Sequence, residues 1–416
     1  MRCHAGVPKG TARPRGIGSA FVLALAASVL TPGISASAAD GGSFLWVRRD
    51  AGPMFASYDS ARAVAVSSDG SRVFITGGEG FYLTIAYDAD TGARVWARHS
   101  EGGSGTSLGV SPDGSTVFVT GLSAVDETDA DYLTIAYDAD TGAKAWARPY
   151  VGPAAGDDSA TSLGVSPDSS TVFVTGESAG TGTGTDYATI AYDAETGAKA
   201  WAARYDGPAS GDDHAASLAV DPDGTDVFVS GGSESGATDA DYATVTYRAS
   251  TGEEGWARRY DGPAGADDAA SSSAVSPDGT LILVTGGSER DGSRSDFATL
   301  AYRASTGAIV WLRRYDGPSS RLDYGASLAV SPDGLRVYVA GTSFGSGTTS
   351  DFATISYKTR TGVKVWVERY DGPATSGSTD NPHDVAVSPD GSKVVVTGES
   401  QGLGTGQDYA TVAYAV

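Results

Sequence analysis

The chain has 416 residues, with 29 lysines and arginines against 51 aspartates and glutamates, so its formal net charge is −22. A protein this acidic is repelled by the phosphate backbone, which excludes nucleic acid as an expected partner. The single cysteine, Cys3, lies in a predicted leader. The mature chain therefore offers no disulfide, thiol nucleophile or thiolate metal site.

Residues 1–39 are predicted to be a secretory signal peptide. A basic start is followed by an apolar run over 17–30, which is shorter than the roughly 20 residues of a membrane span. Ala36-Ser37-Ala38 fits the small-residue pattern of a cleavage site. We therefore expect a secreted protein without membrane insertion, a monomer whose residues 40–416 form one domain.

The first element after the leader, Ser43 to Arg49, belongs to a unit that the chain repeats. Tryptophan marks each copy, at spacings of 50, 50, 55, 55, 55 and 55 residues: Trp46, Trp96, Trp146, Trp201, Trp256, Trp311 and Trp366. A fixed period of this size is typical of a four-stranded propeller blade. Alternating apolar and small polar residues predict four strands in each copy, joined by Pro-Asp-Gly and Asp-x-x-Thr-Gly turns.

The numbers of these turns predict how the ring closes. The Pro-Asp-Gly type occurs seven times and the Thr-Gly type six times, and the last copy ends at Val416 before a tryptophan strand. The sequence thus predicts an all-β, seven-bladed β-propeller with four-stranded antiparallel blades, in which the N-terminal strand Ser43 to Arg49 completes the last blade. Closure would remove exposed sheet edges. An open β-solenoid is the alternative.

The segment Ala136 to Trp146 reads Ala-Tyr-Asp-Ala-Asp-Thr-Gly-Ala-Lys-Ala-Trp. It resembles the tryptophan-docking repeat of the pyrroloquinoline-quinone (PQQ) type propellers, Ala-x-Asp-x-x-Thr-Gly-x-x-x-Trp. Residues 86–96 and 191–201 fit as well, whereas Arg248, Arg303 and Lys358 replace the aspartate in three other copies. The resemblance covers nearly all of the mature chain and implies that each tryptophan docks between adjacent blades.

The resemblance also bears on cofactors. Quinoprotein dehydrogenases of this kind usually have eight blades, a vicinal disulfide over the quinone and Ca²⁺ ligands beneath it. This chain has seven units and no mature cysteine, and none of its residues match the cofactor ligands, so PQQ is not expected. The chain is more similar to non-catalytic relatives, secreted or periplasmic, that use the ring as an interaction scaffold.

One face of the predicted ring carries the longest and most variable loops, which enter the innermost strands and connect the second and third strands. Aspartate recurs five residues before the first apolar position of the innermost strand: Asp59, Asp158, Asp213, Asp268, Asp323 and Asp380. If these side chains face inward, they form an acidic ring at the channel mouth that suits Ca²⁺. In the alternative interpretation, each aspartate caps its own loop by accepting backbone N–H groups.

Residues that differ between copies are the better candidates for ligand binding. Beside Asp213 stands His214, where other copies have serine or alanine, and Tyr324 holds the same place in the sixth copy. His383 and Asp384 lie on the innermost strand of the last copy, and Arg62 occupies the His383 position in the first. Histidine titrates near neutrality and can act as a base or a ligand.

The sequence leaves two functions open. The first is a secreted, non-catalytic scaffold that binds an extracellular protein or a small ligand on the variable-loop face. The second is an enzyme at the channel mouth, either a metal-assisted lyase or hydrolase with His383 as base or a degenerate quinoprotein dehydrogenase. The Arg-Tyr-Asp-Gly-Pro run after most tryptophans is interpreted as local structure, with its arginine and aspartate paired.

Overall fold

The computed structural model describes Trp46, Arg48 and residues 60–416, apart from 79–80, 124–128, 237–238, 291–293, 320, 346–348, 374–378 and 403–405. The predicted signal peptide lies outside this range. Every regular element of the described residues is a strand, and neighbouring strands in each sheet are antiparallel. Within the same residues we find no helix of the length and hydropathy that a membrane crossing requires.

The strands form seven consecutive sheets, which are the blades. Blade one contains β1 (Ala61–Val66), β2 (Arg72–Gly77), β3 (Phe81–Asp88) and β4 (Arg94–Glu101). Blade two contains β5 (Ser104–Val110), β6 (Thr116–Ser123), β7 (Asp131–Asp138) and β8 (Lys144–Tyr150). Blade three contains β9 (Asp158–Val165), β10 (Thr171–Ala179), β11 (Thr185–Asp193) and β12 (Lys199–Tyr205). Blade four contains β13 (Asp213–Val220), β14 (Asp226–Glu234), β15 (Ala240–Arg248) and β16 (Glu254–Tyr260).

Blade five contains β17 (Asp268–Val275), β18 (Leu281–Glu289), β19 (Ser295–Arg303) and β20 (Ile309–Tyr315). Blade six contains β21 (Asp323–Val330), β22 (Arg336–Phe344), β23 (Ser350–Lys358) and β24 (Lys364–Tyr370). Blade seven contains β25 (Asp380–Val387), β26 (Lys393–Gly402) and β27 (Gly406–Ala415). The predicted all-β, seven-bladed propeller is confirmed, with four antiparallel strands in each of blades one to six and three described strands in blade seven.

The tryptophans dock each blade on the next. The ring of Trp96 packs between Phe74 of its own blade and Tyr137 of the following blade, with ring centroids 5.9 and 6.0 Å away. Its Nε1 donates a hydrogen bond to the carbonyl oxygen of Ala139, at 2.8 Å. Gly142 lies under the ring with φ +65°, and a Cβ there would stand 2.6 Å from a ring atom. Only glycine therefore fits this position of the Thr-Gly turn. The turn of each blade thus packs against the tryptophan of the preceding blade.

Trp46 makes the same contacts on blade one. Its Nε1 donates to the carbonyl oxygen of Ala89 at 2.7 Å, and its ring centroid is 5.8 Å from that of Tyr87. Arg48 Nε donates to the carbonyl oxygen of Gly92, as Arg98 Nε donates to that of Gly142. Trp46 thus docks as the tryptophan of a preceding blade does. The predicted pairing of Ser43 to Arg49 with the last sheet lies outside the described residues.

The junction between blades seven and one differs from the six others. Tyr409 of β27 is 93% exposed, whereas the tyrosines at the same place in blades one to four are buried. Val64 and Val66 of β1 are also exposed, whereas their counterparts in blade two, Leu108 and Val110, are buried and half-buried. A cleft of about 260 Å³ lies between β1 to β3 and Tyr409. We call this junction the seam.

Candidate functional site

The first strand of every blade carries one extra residue that bulges out of the register with the second strand. The bulge residues are Arg62, Thr106, Thr161, Ala216, Ser271, Ala326 and His383. Where the residue has a hydroxyl, it donates to a carbonyl oxygen of the next blade's first strand, as Thr161 Oγ1 does to Ala215 at 2.7 Å. Bulges re-aim a side chain, and here they aim it toward the neighbouring innermost strand.

Arg62 and His383 therefore share a structural position, as the sequence comparison predicts. Both are exposed, in the first and the last blade. His383 Nε2 lies 3.9 Å from Glu399 Oε1 on β26, and the two side chains are 65% and 38% exposed. These two long side chains stand where the other blades have a small bulge residue, threonine, serine or alanine.

Asp384 has a different role. Its Oδ1 accepts a hydrogen bond from Ser327 Oγ of blade six at 2.7 Å and another from the N–H of Val385 at 2.8 Å. Serines at this position in other blades also bridge to the next blade, as Ser162 Oγ does to the N–H of Leu218. Asp384 thus connects two blades, and His383 and Asp384 each have their own polar partner.

His214 and Tyr324 both lie at the second position of an innermost strand. His214 Nδ1 of blade four contacts Glu177 Oε2 of blade three, and this hydrogen bond raises the pKa of the imidazole above its usual value. Tyr324 is 42% exposed. Both side chains are therefore accessible at the end of the ring where the variable loops enter the innermost strands.

The predicted acidic ring takes another form. Asp59 lies outside the described residues, and the side chains of the five other aspartates have no exposed surface: Asp158, Asp213, Asp268, Asp323 and Asp380. Each accepts the backbone N–H of the glycine in the preceding Gly-Pro turn, as Asp213 Oδ2 does from Gly207 at 2.6 Å. This arrangement is the loop cap of the alternative interpretation, and these carboxylates do not face a solvent-filled channel.

Four of these aspartates join clusters at the blade junctions instead. Each cluster contains three aspartates, with one oxygen of each within 4.8 Å of the others: Asp186, Asp206 and Asp213; Asp241, Asp261 and Asp268; Asp296, Asp316 and Asp323; Asp351, Asp371 and Asp380. Burial raises the pKa of Asp213, of Asp268 and of Asp323, and at each of them a neighbouring carboxylate adds to this increase. The first and second members of each cluster are not predicted from the sequence as site residues. They belong to two repeated segments, the strand that reads Asp-Tyr-Ala-Thr or Asp-Phe-Ala-Thr and the Arg-Tyr-Asp-Gly-Pro run.

The expected pairing within the Arg-Tyr-Asp-Gly-Pro run is wrong. Arg204 binds Asp186 at the start of β11, with Nη2 2.7 Å from Oδ2, instead of Asp206 of its own run. Arg259 binds Asp241 in the same way at 2.9 Å. The arginine thus ties the fourth strand to the third, because the antiparallel ladder brings these two positions together.

Comparison with known proteins agrees with this architecture. The "Structure of Dos1 propeller" is 13% identical with a TM-score of 0.55, and the match covers 82% of this chain and 75% of that chain. Hydrazine synthase of Kuenenia stuttgartiensis is 14% identical with a TM-score of 0.55, covering 86% of this chain and 96% of that one. The structure of U3-55K is 10% identical with a TM-score of 0.54, covering 82% and 89%. At these identities the likeness shows the fold alone.

No curated protein sequence matches the chain. A family model described as "Outer membrane protein assembly factor BamB" matches residues 33–285, which is more than half of the chain. The match agrees with the tryptophan-docking motif and with the docked rings of the structure. The chain therefore belongs to this family of PQQ-like β-propeller repeat proteins.

Proposed function

We propose that the protein is a secreted, non-catalytic scaffold that binds a partner, an extracellular protein or a small ligand, on the variable-loop face. One observation carries this proposal. The side chains that break the repeat, His214, Tyr324, His383 and Arg62, are exposed on the innermost strands, whereas the repeated aspartates beside them are buried. A repeated buried residue serves the fold, so the irregular exposed residues are free to serve recognition.

Charge supports the same conclusion. The chain is strongly acidic, and its exposed irregular residues add a histidine–glutamate pair at His214 and Glu177. A partner with a basic surface would be steered to so acidic a protein, and its association rate would fall as salt rises. The matching family model is named for an assembly factor, which supports a binding role over a catalytic one.

The test compares two faces of the same ring. In one variant His214, Tyr324, His383 and Arg62 are replaced by alanine, and Asp384 is kept because it links blades six and seven. In the control variant Asp140 and Glu195, exposed in the Thr-Gly turns of the opposite face, are replaced by alanine. Both are measured against arrays of extracellular proteins and glycans.

We expect the first variant to lose at least about tenfold in affinity for any partner that wild type binds, which corresponds to about 1.4 kcal/mol. The control variant should bind as wild type does. Unchanged binding by the first variant, or an equal loss in the control, would reject the variable-loop face as the binding surface.

A further inference from the structure

Blade six carries exposed apolar side chains at the end of the ring where the Pro-Asp-Gly and Thr-Gly turns lie, which we call the turn face. Leu335, Val363 and Val365 are 59%, 49% and 42% exposed. The carbonyl oxygen of Leu335 accepts the N–H of Thr359. That of Val363 accepts the N–H of the preceding residue, Lys358, so the apolar side chains come from adjacent turns. Apolar side chains exposed singly are normal, whereas a contiguous group marks an interaction surface.

The same surface is basic, although the chain has a net charge of −22. Arg336 and Lys358 are directly opposite each other on β22 and β23. Arg360, in the Thr-Gly turn, is 72% exposed and pairs with Asp278 of blade five at 2.6 Å. Asp333 interacts electrostatically with Arg336. Three cations thus face two carboxylates. We define the blade-six patch as these three basic residues and the three apolar ones: Leu335, Arg336, Lys358, Arg360, Val363 and Val365.

The pairing of Arg336 with Lys358 is unfavourable within the sheet, because like charges directly opposite each other on neighbouring strands repel. In blade four the same two positions hold Asp226 and Arg248, which form an ion pair at 2.9 Å. The repeat therefore has a stabilising arrangement for this place that blade six does not use. An anion supplied from outside the chain would offset the repulsion, which points to a negatively charged partner.

Blade three has the opposite chemistry on the same backbone. Its residues at the six positions are Ser170, Thr171, Asp193, Glu195, Ala198 and Ala200. The turn is unchanged, since Asp193 donates its N–H to the carbonyl oxygen of Ala198 at 2.9 Å, as Lys358 does to that of Val363. The fold therefore does not require the side chains of the blade-six patch, and they are available for recognition.

We propose that the blade-six patch binds an acidic segment of a partner protein that also carries apolar side chains. Carboxylates of this segment would lie beside Arg336 and Lys358, and its apolar side chains would cover Leu335, Val363 and Val365. Charges separated by more than about 8 Å are largely screened at physiological salt. The local charge of the patch therefore governs this contact, and the net charge of the chain does not.

Two other occupants fit the patch less well. An anionic membrane is flat and would also meet the exposed carboxylates of the turn face, among them Asp193 and Glu195, which repel it. A second copy of the chain offers these carboxylates, but beside them it has only the small side chains of Ala198 and Ala200. The patch lies at the end of the ring opposite to the variable-loop face, so this proposal does not rest on the proposed function.

The experiment measures binding of the full mature protein to two labelled decapeptides by fluorescence anisotropy at physiological salt. One peptide alternates glutamate with leucine, and the other alternates glutamate with serine. We expect the glutamate–leucine peptide to bind saturably at one site. The glutamate–serine peptide should bind at least about tenfold more weakly, because it has the charge but lacks the apolar side chains.

Two matched variants exchange the residues of blades six and three. The first places the blade-three residues in blade six: Leu335→Ser, Arg336→Thr, Lys358→Asp, Arg360→Glu, Val363→Ala and Val365→Ala. It should lose at least about tenfold in affinity for the glutamate–leucine peptide. The second places the blade-six residues in blade three, and it should bind two peptides instead of one. Each set already belongs to a blade of this ring, so both variants should melt close to wild type, which thermal unfolding checks.

Absence of saturable binding by wild type would overturn the proposal, as would unchanged affinity in the first variant or a single site in the second. Sedimentation of wild type with vesicles of phosphatidylglycerol and phosphatidylcholine, lost in the first variant, would assign the patch to a membrane. Self-association in analytical ultracentrifugation, lost in the same variant, would assign it to a second copy. Either of these two results would overturn an acidic protein segment as the occupant.

Discussion

The junction of blades three and four and the seam between blades seven and one are built from nearly the same sequence but differ in packing. At the first, Tyr187 is fully buried and its hydroxyl donates to the carbonyl oxygen of Ala243 at 3.4 Å. At the seam, Tyr409 from the same Asp-Tyr-Ala-Thr motif is 93% exposed. The motif alone therefore does not determine whether its tyrosine is buried. The burial depends on the blade that packs against it.

This difference indicates which interfaces between blades contribute most to the stability of the ring. In a repeat protein, stability is close to a sum of the units and of the interfaces between neighbours. Six junctions bury aromatic rings and bond across blades, whereas at the seam Val64 and Val66 are exposed beside the cleft. Trp46 still docks on blade one there. Among the described residues, the seam is thus the weakest interface between blades. We expect blades seven and one, which flank it, to unfold first.

The largest effect is expected from a substitution at one of the six junctions other than the seam. Trp201→Ala removes a ring packed between Phe173 and Tyr247 and a hydrogen bond to Ala249, and should cost about 3–5 kcal/mol of unfolding free energy. Trp366, which docks on blade seven next to the seam, is only partly buried, so Trp366→Ala should cost less. Denaturant titration measures both. Equal losses would contradict the ranking of the junctions.

The tyrosines give the most direct comparison. Tyr187→Ala should cost about 3–5 kcal/mol because it opens a cavity between two blades, whereas Tyr409→Ala should change stability by less than about 0.5 kcal/mol. Tyr187→Phe, which keeps the ring and loses only the hydrogen bond, should cost about 1 kcal/mol. A large loss for Tyr409→Ala would mean that the seam is packed in solution like the other junctions.

The sequence predicts the repeat well because its signals are local. Tryptophan spacing and turn chemistry suffice for blade number and strand order, and Gly142 under Trp96 shows why the motif is so regular. The exposure of Tyr409 at the seam could not be predicted, because Tyr409 and Tyr187 have nearly the same neighbours in sequence. Nor could the aspartate clusters, since Asp186 and Asp213 are 27 residues apart and meet only when two blades pack. The candidate site residues could be ranked by how far each departs from the repeat. Their contact partners could not be predicted, since Glu177 reaches His214 from the adjacent blade and Glu399 reaches His383 from the neighbouring strand.

An intermediate effect is expected from the arginines. Arg259→Ala leaves the carboxylate of Asp241, a side chain only 9% exposed, without its charged partner, and should cost about 1.5–3 kcal/mol. In blade one, beside the seam, Arg72 lies 3.5 Å from Asp88 in a more exposed pair, so Arg72→Ala should cost less than about 1 kcal/mol. Arg259→Met, which restores packing without charge, separates the two contributions. If Arg259→Ala cost no more than Arg72→Ala, burial would not strengthen the Arg259–Asp241 ion pair.

The smallest effect is expected from pH at the His214–Glu177 pair, which bridges blades four and three. The hydrogen bond to Glu177 raises the pKa of His214 above the unfolded value of 6.5, so the folded state holds this proton more tightly. The pair therefore stabilises the fold fully below pH 6.5, and this stability is lost as pH rises through the folded pKa. Because the imidazole is 60% exposed, the change should stay below about 1 kcal/mol.

The measurement for this pair compares urea midpoints at pH 6 and pH 8 for wild type and His214→Gln. Wild type should lose more stability over this interval than the variant, because only wild type has the imidazolium to lose. Glu177→Gln should reduce the pH dependence in the same way while keeping the histidine, which identifies the carboxylate as its cause. Equal pH dependence in all three proteins would mean that the contact between the blades is too exposed to couple proton binding to the junction.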